Sequence, residues 1–171
     1  NWHKSNPRTV LAAEHPFRIE LVAGGEQVVI RGSMDRVELD ADGRVHVVDF
    51  KTAKRPASGP EVAAHAQLGV YQVTVENGAV TDLGVQNAEA GGAELVHLRV
   101  GSGAKAPDDP KVVAQARPAG DEPFFALDLI AESARTIREE QLVARPGKTC
   151  DMCDFTSVCP TATGPTIGAS Q

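Results

Sequence analysis

The sequence has no run near the roughly 18 consecutive apolar residues that a membrane-crossing helix needs. Its first twenty residues also lack the charged-then-apolar layout of a secretion signal, so we expect a cytoplasmic protein without membrane contact. Aromatic side chains are scarce at 4%, with Trp2, Tyr71 and five Phe, too few for a surface that stacks successive bases of a single strand. Positive charge is in deficit, with 17 Lys and Arg against 23 Asp and Glu and a net charge of -6. That balance argues against indiscriminate attraction to nucleic acid, for which Lys and Arg normally supply the affinity. It does not exclude an enzyme acting on nucleic acid, because acidic metal ligands lower the tally and a bound cation restores local positive charge. Cysteine is confined to Cys150, Cys153 and Cys159; an odd, tight cluster argues against a disulfide framework and for metal or cluster ligation. A nucleotide-binding phosphate loop is missing too. Gly147-Lys148-Thr149 ends like one, but Leu142 stands where the first Gly is required and a helix pattern precedes it. ATP binding is excluded there, so any motor activity would have to come from a separate part of a larger protein.

What remains is ordinary globular material: 171 residues at 42% hydrophobic content, enough for one domain with a core, and no internal repeat. From Thr9 to Lys51 the pattern is a strand meander. Phe17 to Val22 alternates, Gly24-Gly25 punctuates, Gln27 to Ile30 resumes, and Asp42-Gly43 marks a hairpin between Met34–Leu39 and Val45–Phe50. After a Pro/Ser/Gly-rich link at 55–60, Pro60 to about Glu76 reads as a helix with Val62, Ala66, Val70 and Val73 at helical spacing. Glu94 to Val100 is a further strand, and 101–120 reads as a mobile loop or connector. Phe124 to about Val143 reads as an amphipathic helix, with Leu127, Ile130, Ala134, Ile137 and Leu142 toward the core. The small, polar tail from Thr161 is expected to fray.

The chemistry concentrates at two strand ends. Val47-Val48-Asp49-Phe50-Lys51-Thr52 places Asp49 and Lys51 two residues apart, hence on one face of a strand. A carboxylate there can hold a hard cation while the ammonium beside it steadies developing phosphate charge. Pairing across Asp42-Gly43 brings Asp35, from Gly32-Ser33-Met34-Asp35-Arg36, into the same neighbourhood. In the following helix Gln67 and Tyr71 stand four apart and share a face.

Gly-x-x-Asp-Arg, Asp-Phe-Lys-Thr, Gln-x-x-x-Tyr and Cys-x2-Cys-x5-Cys, in that order over about residues 14 to 160, resemble the RecB-type branch of the PD-(D/E)xK nucleases. That branch includes the nuclease modules of the RecB, AddB and AdnB helicase-nucleases and the CRISPR-associated RecB-like exonucleases. The resemblance implies an α/β, restriction-endonuclease-like fold, a mixed central sheet flanked by helices. It implies a Mg2+- or Mn2+-dependent DNA nuclease acting with a helicase motor in bacterial double-strand-break repair. Asp35 and Asp49 become metal ligands, Lys51 the catalytic lysine, and Gln67 and Tyr71 substrate-strand contacts; Glu14 and Glu20 are weaker candidates for an upstream acid.

In this family a four-cysteine iron-sulfur cluster staples the fold. Cys150, Cys153 and Cys159 match three of its ligands, and no fourth cysteine exists here. Only His3 and His15 precede Asp35, whereas the family's metal-binding His lies well upstream. Both absences suit residues 1–160 as a single RecB-like nuclease domain lacking its N-terminal helical part, with a flexible tail at 161–171 and a cluster that closes only in the full-length parent. Zinc on the three thiols with a water, a His or a partner ligand is one alternative, and unligated thiols in the isolated chain are another. Two other readings compete: an inactive DNA-end-binding or interaction module, and a small zinc scaffold. His46, His65 and His97 read as structural, with His65 pointing away from the Gln67 face. Arg36 reads as an ion-pair residue on the opposite side of its strand from Asp35, and Phe50 and Phe124-Phe125 as core.

Overall fold

A computed structural model describes residues 2–103, 108–117, 124–147 and 150–163. Contacts divide the chain into two compact units, Asn1–Glu132 and Ser133–Gln171. The first contains a short helix α1 (Trp2–Ser5), strands β1 (Thr9–Ala23), β2 (Glu26–Leu39) and β3 (Val45–Lys51), helices α2 (Gly59–Ala63) and α3 (Ala66–Glu76), and strands β4 (Ala90–Gly101) and β5 (Pro110–Ala116). Helix α4 (Phe125–Arg138) runs from the first unit into the second, which also holds the short α5 (Pro160–Thr163). No helix among the described residues is long and apolar enough to cross a membrane.

The five strands form one mixed sheet in the order β1-β2-β3-β4-β5. Gly24 and Gly25, with φ of 58° and 81°, make the two-residue turn between β1 and β2; both positions need the left-handed backbone that glycine adopts without steric cost. The β2–β3 turn is built by Asp40, whose Oδ1 accepts from the amides of Asp42 (2.9 Å) and Arg44 (2.8 Å). β3 and β4 are parallel, and the chain crosses between them through α2 and α3. One sheet face, with Val37, Val45, Val47, Ala93 and Leu95, packs against Leu68, Tyr71 and Val75 of α3 to form the core. Gln115 of β5 pins the α2–α3 break to the sheet, donating to the carbonyls of Val62 (2.7 Å) and His65 (3.2 Å).

Gly69 faces the start of α4. A Cβ there would lie 2.8 Å from the Phe125 ring and 2.9 Å from Ala126 Cβ. Gly69→Val should therefore cost about 1–3 kcal/mol by overpacking; a urea melt within 0.5 kcal/mol of the wild type (about the scatter of a surface substitution) would contradict this close approach.

Several elements differ from the sequence reading. The connector at 101–120 contains β5, a strand held by pairing with β4. The single helix over 60–76 is two, broken at Ala64-His65, and its buried side carries Leu68, Tyr71 and Gln72, with Ala66 exposed. α4 stops at Arg138, with Glu140 at φ 54°. Ala126 and Ile130 are its buried residues, while Leu127, Ile137, Leu142 and Val143 are exposed. Phe50 lies outside the core; its ring meets Trp2 edge-on at 6.1 Å, because successive strand residues face opposite ways and the core face is taken by Asp49 and Lys51. Phe124 and Phe125 do pack against the core. The start of the expected tail is helical at Pro160–Thr163, and residues 164–171, like Lys148 and Thr149 of the loop look-alike, lie outside the described residues.

Candidate active site

The β2–β3 ladder pairs Leu39 with Val45 through to Arg36 with Val48, so the next position outward sets Asp35 opposite Asp49. β2 changes phase here. Met34 and Val37, three apart, are both fully buried, beside Glu14 of β1 at φ 50°. Asp35 turns its side chain along the neighbouring strand, and its Oδ2 accepts the amide of Phe50 at 2.8 Å. That bond fixes one carboxylate oxygen and leaves the other available.

Asp49 is 2% exposed, and its Oδ2 accepts no directed hydrogen bond among the described residues. The Lys51 ammonium lies 2.7 Å from that oxygen, an ion pair whose alignment is not that of a directed hydrogen bond. Lys51 Nζ also donates to Gln67 Oε1 (3.1 Å), Gln67 Nε2 donates to the Tyr71 hydroxyl (2.9 Å), and that hydroxyl donates to the Ser33 carbonyl on β2 (2.9 Å). A chain of bonds thus runs from the lysine through α3 back to the strand that bears Asp35. Burial pushes the Tyr71 hydroxyl above its ordinary pKa, Gln67 opposes the shift, and Asp49 and Asp35 add to it; the phenol stays neutral and remains a donor. The structure brings together all five residues: Asp35, Asp49, Lys51, Gln67 and Tyr71.

The other candidates lie elsewhere. Glu14 and Glu20 are exposed, Glu20 in a surface pair with Arg18 at 2.8 Å. Arg36 pairs with Glu38 at 2.6 Å, as its strand position suggested. In the second unit Cys150, Cys153 and Cys159 form no disulfide. Gly147 donates to Cys150 Sγ at 3.2 Å, and Cys159 Sγ lies 3.1 Å from Thr161 Oγ1. Among the described residues no group of three His, Cys, Asp or Glu converges as a metal site, so the thiols are not gathered.

Two histidines stand nearer the site than the sequence pattern places them. His65 sits at the N-terminus of α3, where burial and the Lys51 charge lower its pKa against the opposing pull of Asp49; it shares the field of the site instead of standing apart from it. His97 pairs in register with Lys51 on β3 and with Lys111 on β5. It is 2% exposed, neither ring nitrogen has a hydrogen-bond partner among the described residues, and burial, Lys111 and Lys51 all lower its pKa. The only sequence signal for it was β5, which lay inside a Gly/Pro-rich stretch. Both rings resist protonation in the folded state, so stability holds above the unfolded histidine pKa of about 6.5 and falls as pH drops through it toward the depressed folded values. Thermal melts just above and about one unit below that pKa in EDTA should show the loss, and His97→Leu should lessen it; an unchanged loss would rule His97 out as a contributor.

The donor set suits a hard cation. Mg2+ and Mn2+ take oxygen ligands, and Mg2+ is commonly held by one or two carboxylates with water and phosphate oxygens completing the shell. A buried carboxylate oxygen met by the Lys51 ammonium but by no directed hydrogen bond among the described residues, beside a second carboxylate with one oxygen spare, fits that pattern.

A model of the PD-(D/E)XK nuclease superfamily matches residues 1–160. The chain belongs to this superfamily. Its five-stranded mixed sheet with flanking helices is consistent with the restriction-endonuclease-like fold of PD-(D/E)XK nucleases. Among solved structures, the crystal structure of SSO0001 is similar in fold, with a TM-score of 0.55 and 20% identity over 88% of this chain. The chain spans 61% of that structure's length. No curated protein matches it.

Proposed function

We propose that this chain is the nuclease module of a RecB-type PD-(D/E)XK enzyme that hydrolyses DNA phosphodiesters with Mg2+ or Mn2+. The observation that carries the reading is the buried Asp49 Oδ2, beside Asp35 and met among the described residues by the Lys51 ammonium at 2.7 Å with no directed hydrogen bond. Asp35 and Asp49 hold the cation, which when bound supplies positive charge to the scissile phosphate and acidifies a water. Lys51 directs its charge toward the same phosphate, where an oriented donor stabilises the charge that develops during displacement. Gln67 holds the ammonium in place, and Tyr71 ties Gln67 to β2. In its parent the module acts beside a helicase motor in double-strand-break repair, and Cys150, Cys153 and Cys159 contribute three ligands to an iron-sulfur cluster completed elsewhere in that parent.

The test is incubation of the chain with end-labelled linear DNA and Mn2+ or Mg2+. Shortened products that vanish in EDTA are expected. Tight DNA binding with no product in either metal would favour the inactive end-binding module.

A further inference from the structure

Lys51, His97 and Lys111 stand side by side on three adjacent strands, paired in register across β3, β4 and β5. The row spans about 10 Å at ordinary strand spacing, the axial rise of about three nucleotides in one strand of B-form DNA. In this acidic chain Arg8, Arg18, Arg36, Arg44 and Arg117 each pair with a carboxylate. Lys111, half-buried at the row's outer end, makes no ion pair among the described residues. His97 between the lysines is buried with both ring nitrogens unsatisfied. Such a group costs stability unless a partner reaches it, and a phosphate oxygen is an acceptor of the right kind.

We propose that the substrate strand leaves Lys51 across β4 and β5, where Lys111 and His97 hold a backbone phosphate one to three nucleotides (at about 3.4 Å rise each) from the one cleaved. This rests on the nuclease reading above. The neutral imidazole suits its place: its N–H can donate to a phosphate oxygen, and its other nitrogen can accept from a lysine ammonium, without a third positive charge in the row. Lys51 stays held by Asp49 and Gln67, and turning of the Lys111 side chain toward the phosphate opens the ring to the strand.

The experiment measures binding of a fluorescent single-stranded oligonucleotide in EDTA over a range of salt, and steady-state cleavage with Mn2+. Lys111→Ala should raise Kd about fivefold, as loss of one exposed ion pair implies, and lower the log Kd against log salt slope by about 0.7 to 1. Lys111→Glu should do more, with the loss falling mainly on KM. His97→Leu should raise the thermal midpoint, since an unsatisfied polar group is removed, yet weaken binding; His97→Gln, which keeps an N–H donor, should recover binding. A purely structural His97 would not move KM. If the wild type cleaves DNA and both Lys111 variants keep its Kd, KM and salt slope, the strand path is wrong and the nuclease reading stands. If the wild type neither binds nor cleaves DNA, the nuclease reading fails and the strand path with it.

Discussion

Lys51→Met should lower the rate of DNA cleavage by about 10²–10³-fold, the loss seen when one oriented donor to developing charge is removed. It should also uncover the electrostatics of the site without DNA. Asp49 is 2% exposed, and the Lys51 ammonium 2.7 Å away is the cation that compensates it. Methionine preserves the length of the aliphatic stem but not the charge, so the variant leaves a buried carboxylate uncompensated. Its thermal midpoint should fall in EDTA and recover on addition of Mn2+, by a larger increment than Mn2+ gives the wild type, because ligand binding to the folded state stabilises it. Equal Mn2+ increments in the two proteins would show that the cation does not sit on Asp49.

The second large effect concerns stability, on the sheet face away from α3. Glu38 is fully buried and accepts both Asn6 Nδ2 contacts (2.8 and 2.9 Å), Arg36 Nε at 2.6 Å and Arg8 Nη1 at 3.3 Å. Arg8 also reaches Glu94 at 3.2 Å, so β2 and β4 are clamped across β3. Glu38→Ala leaves Arg36 without a carboxylate and Arg8 with Glu94 alone. Removing one member of a buried ion pair costs about 3–5 kcal/mol, and the lower end is expected because both guanidinium groups keep some contact with water. That is a large part of the 5–15 kcal/mol that typically holds a domain together. Glu38→Gln, which keeps the shape and one acceptor for Asn6, should lose about half as much. Urea unfolding decides the point; a loss under about 1 kcal/mol for Glu38→Ala would place the network among surface pairs of little worth.

The acids and the lysine were legible because each rests on local signals. Asp42-Gly43 announces a tight turn, and strand alternation puts Asp49 and Lys51 on one face. The same alternation assigned Arg36 to the other face, where it pairs with Glu38. What escaped depends on distant partners. Lys111 to Ala116 has only Val112 and Val113 as strong strand formers, and it is a strand through its ladder with β4. Without β5 there was no reason to see His97 between two lysines. The chemistry of Phe50 points to the core, whereas its ring meets Trp2, nearly fifty residues away in sequence. The apolar spacing that carries the last helix to Val143 counts Ile137 and Leu142, which are exposed; α4 ends at Arg138, and Glu140 takes the left-handed backbone at φ 54°.

The central claim is that Asp49 holds the metal for phosphodiester hydrolysis. Asp49→Asn keeps the side-chain shape and removes the charge, so the fold should survive while cleavage of end-labelled linear DNA at saturating Mn2+ falls by about 10³-fold, equivalent to some 4 kcal/mol of lost stabilisation. More Mn2+ should not restore it. Undiminished cleavage by Asp49→Asn would contradict the account.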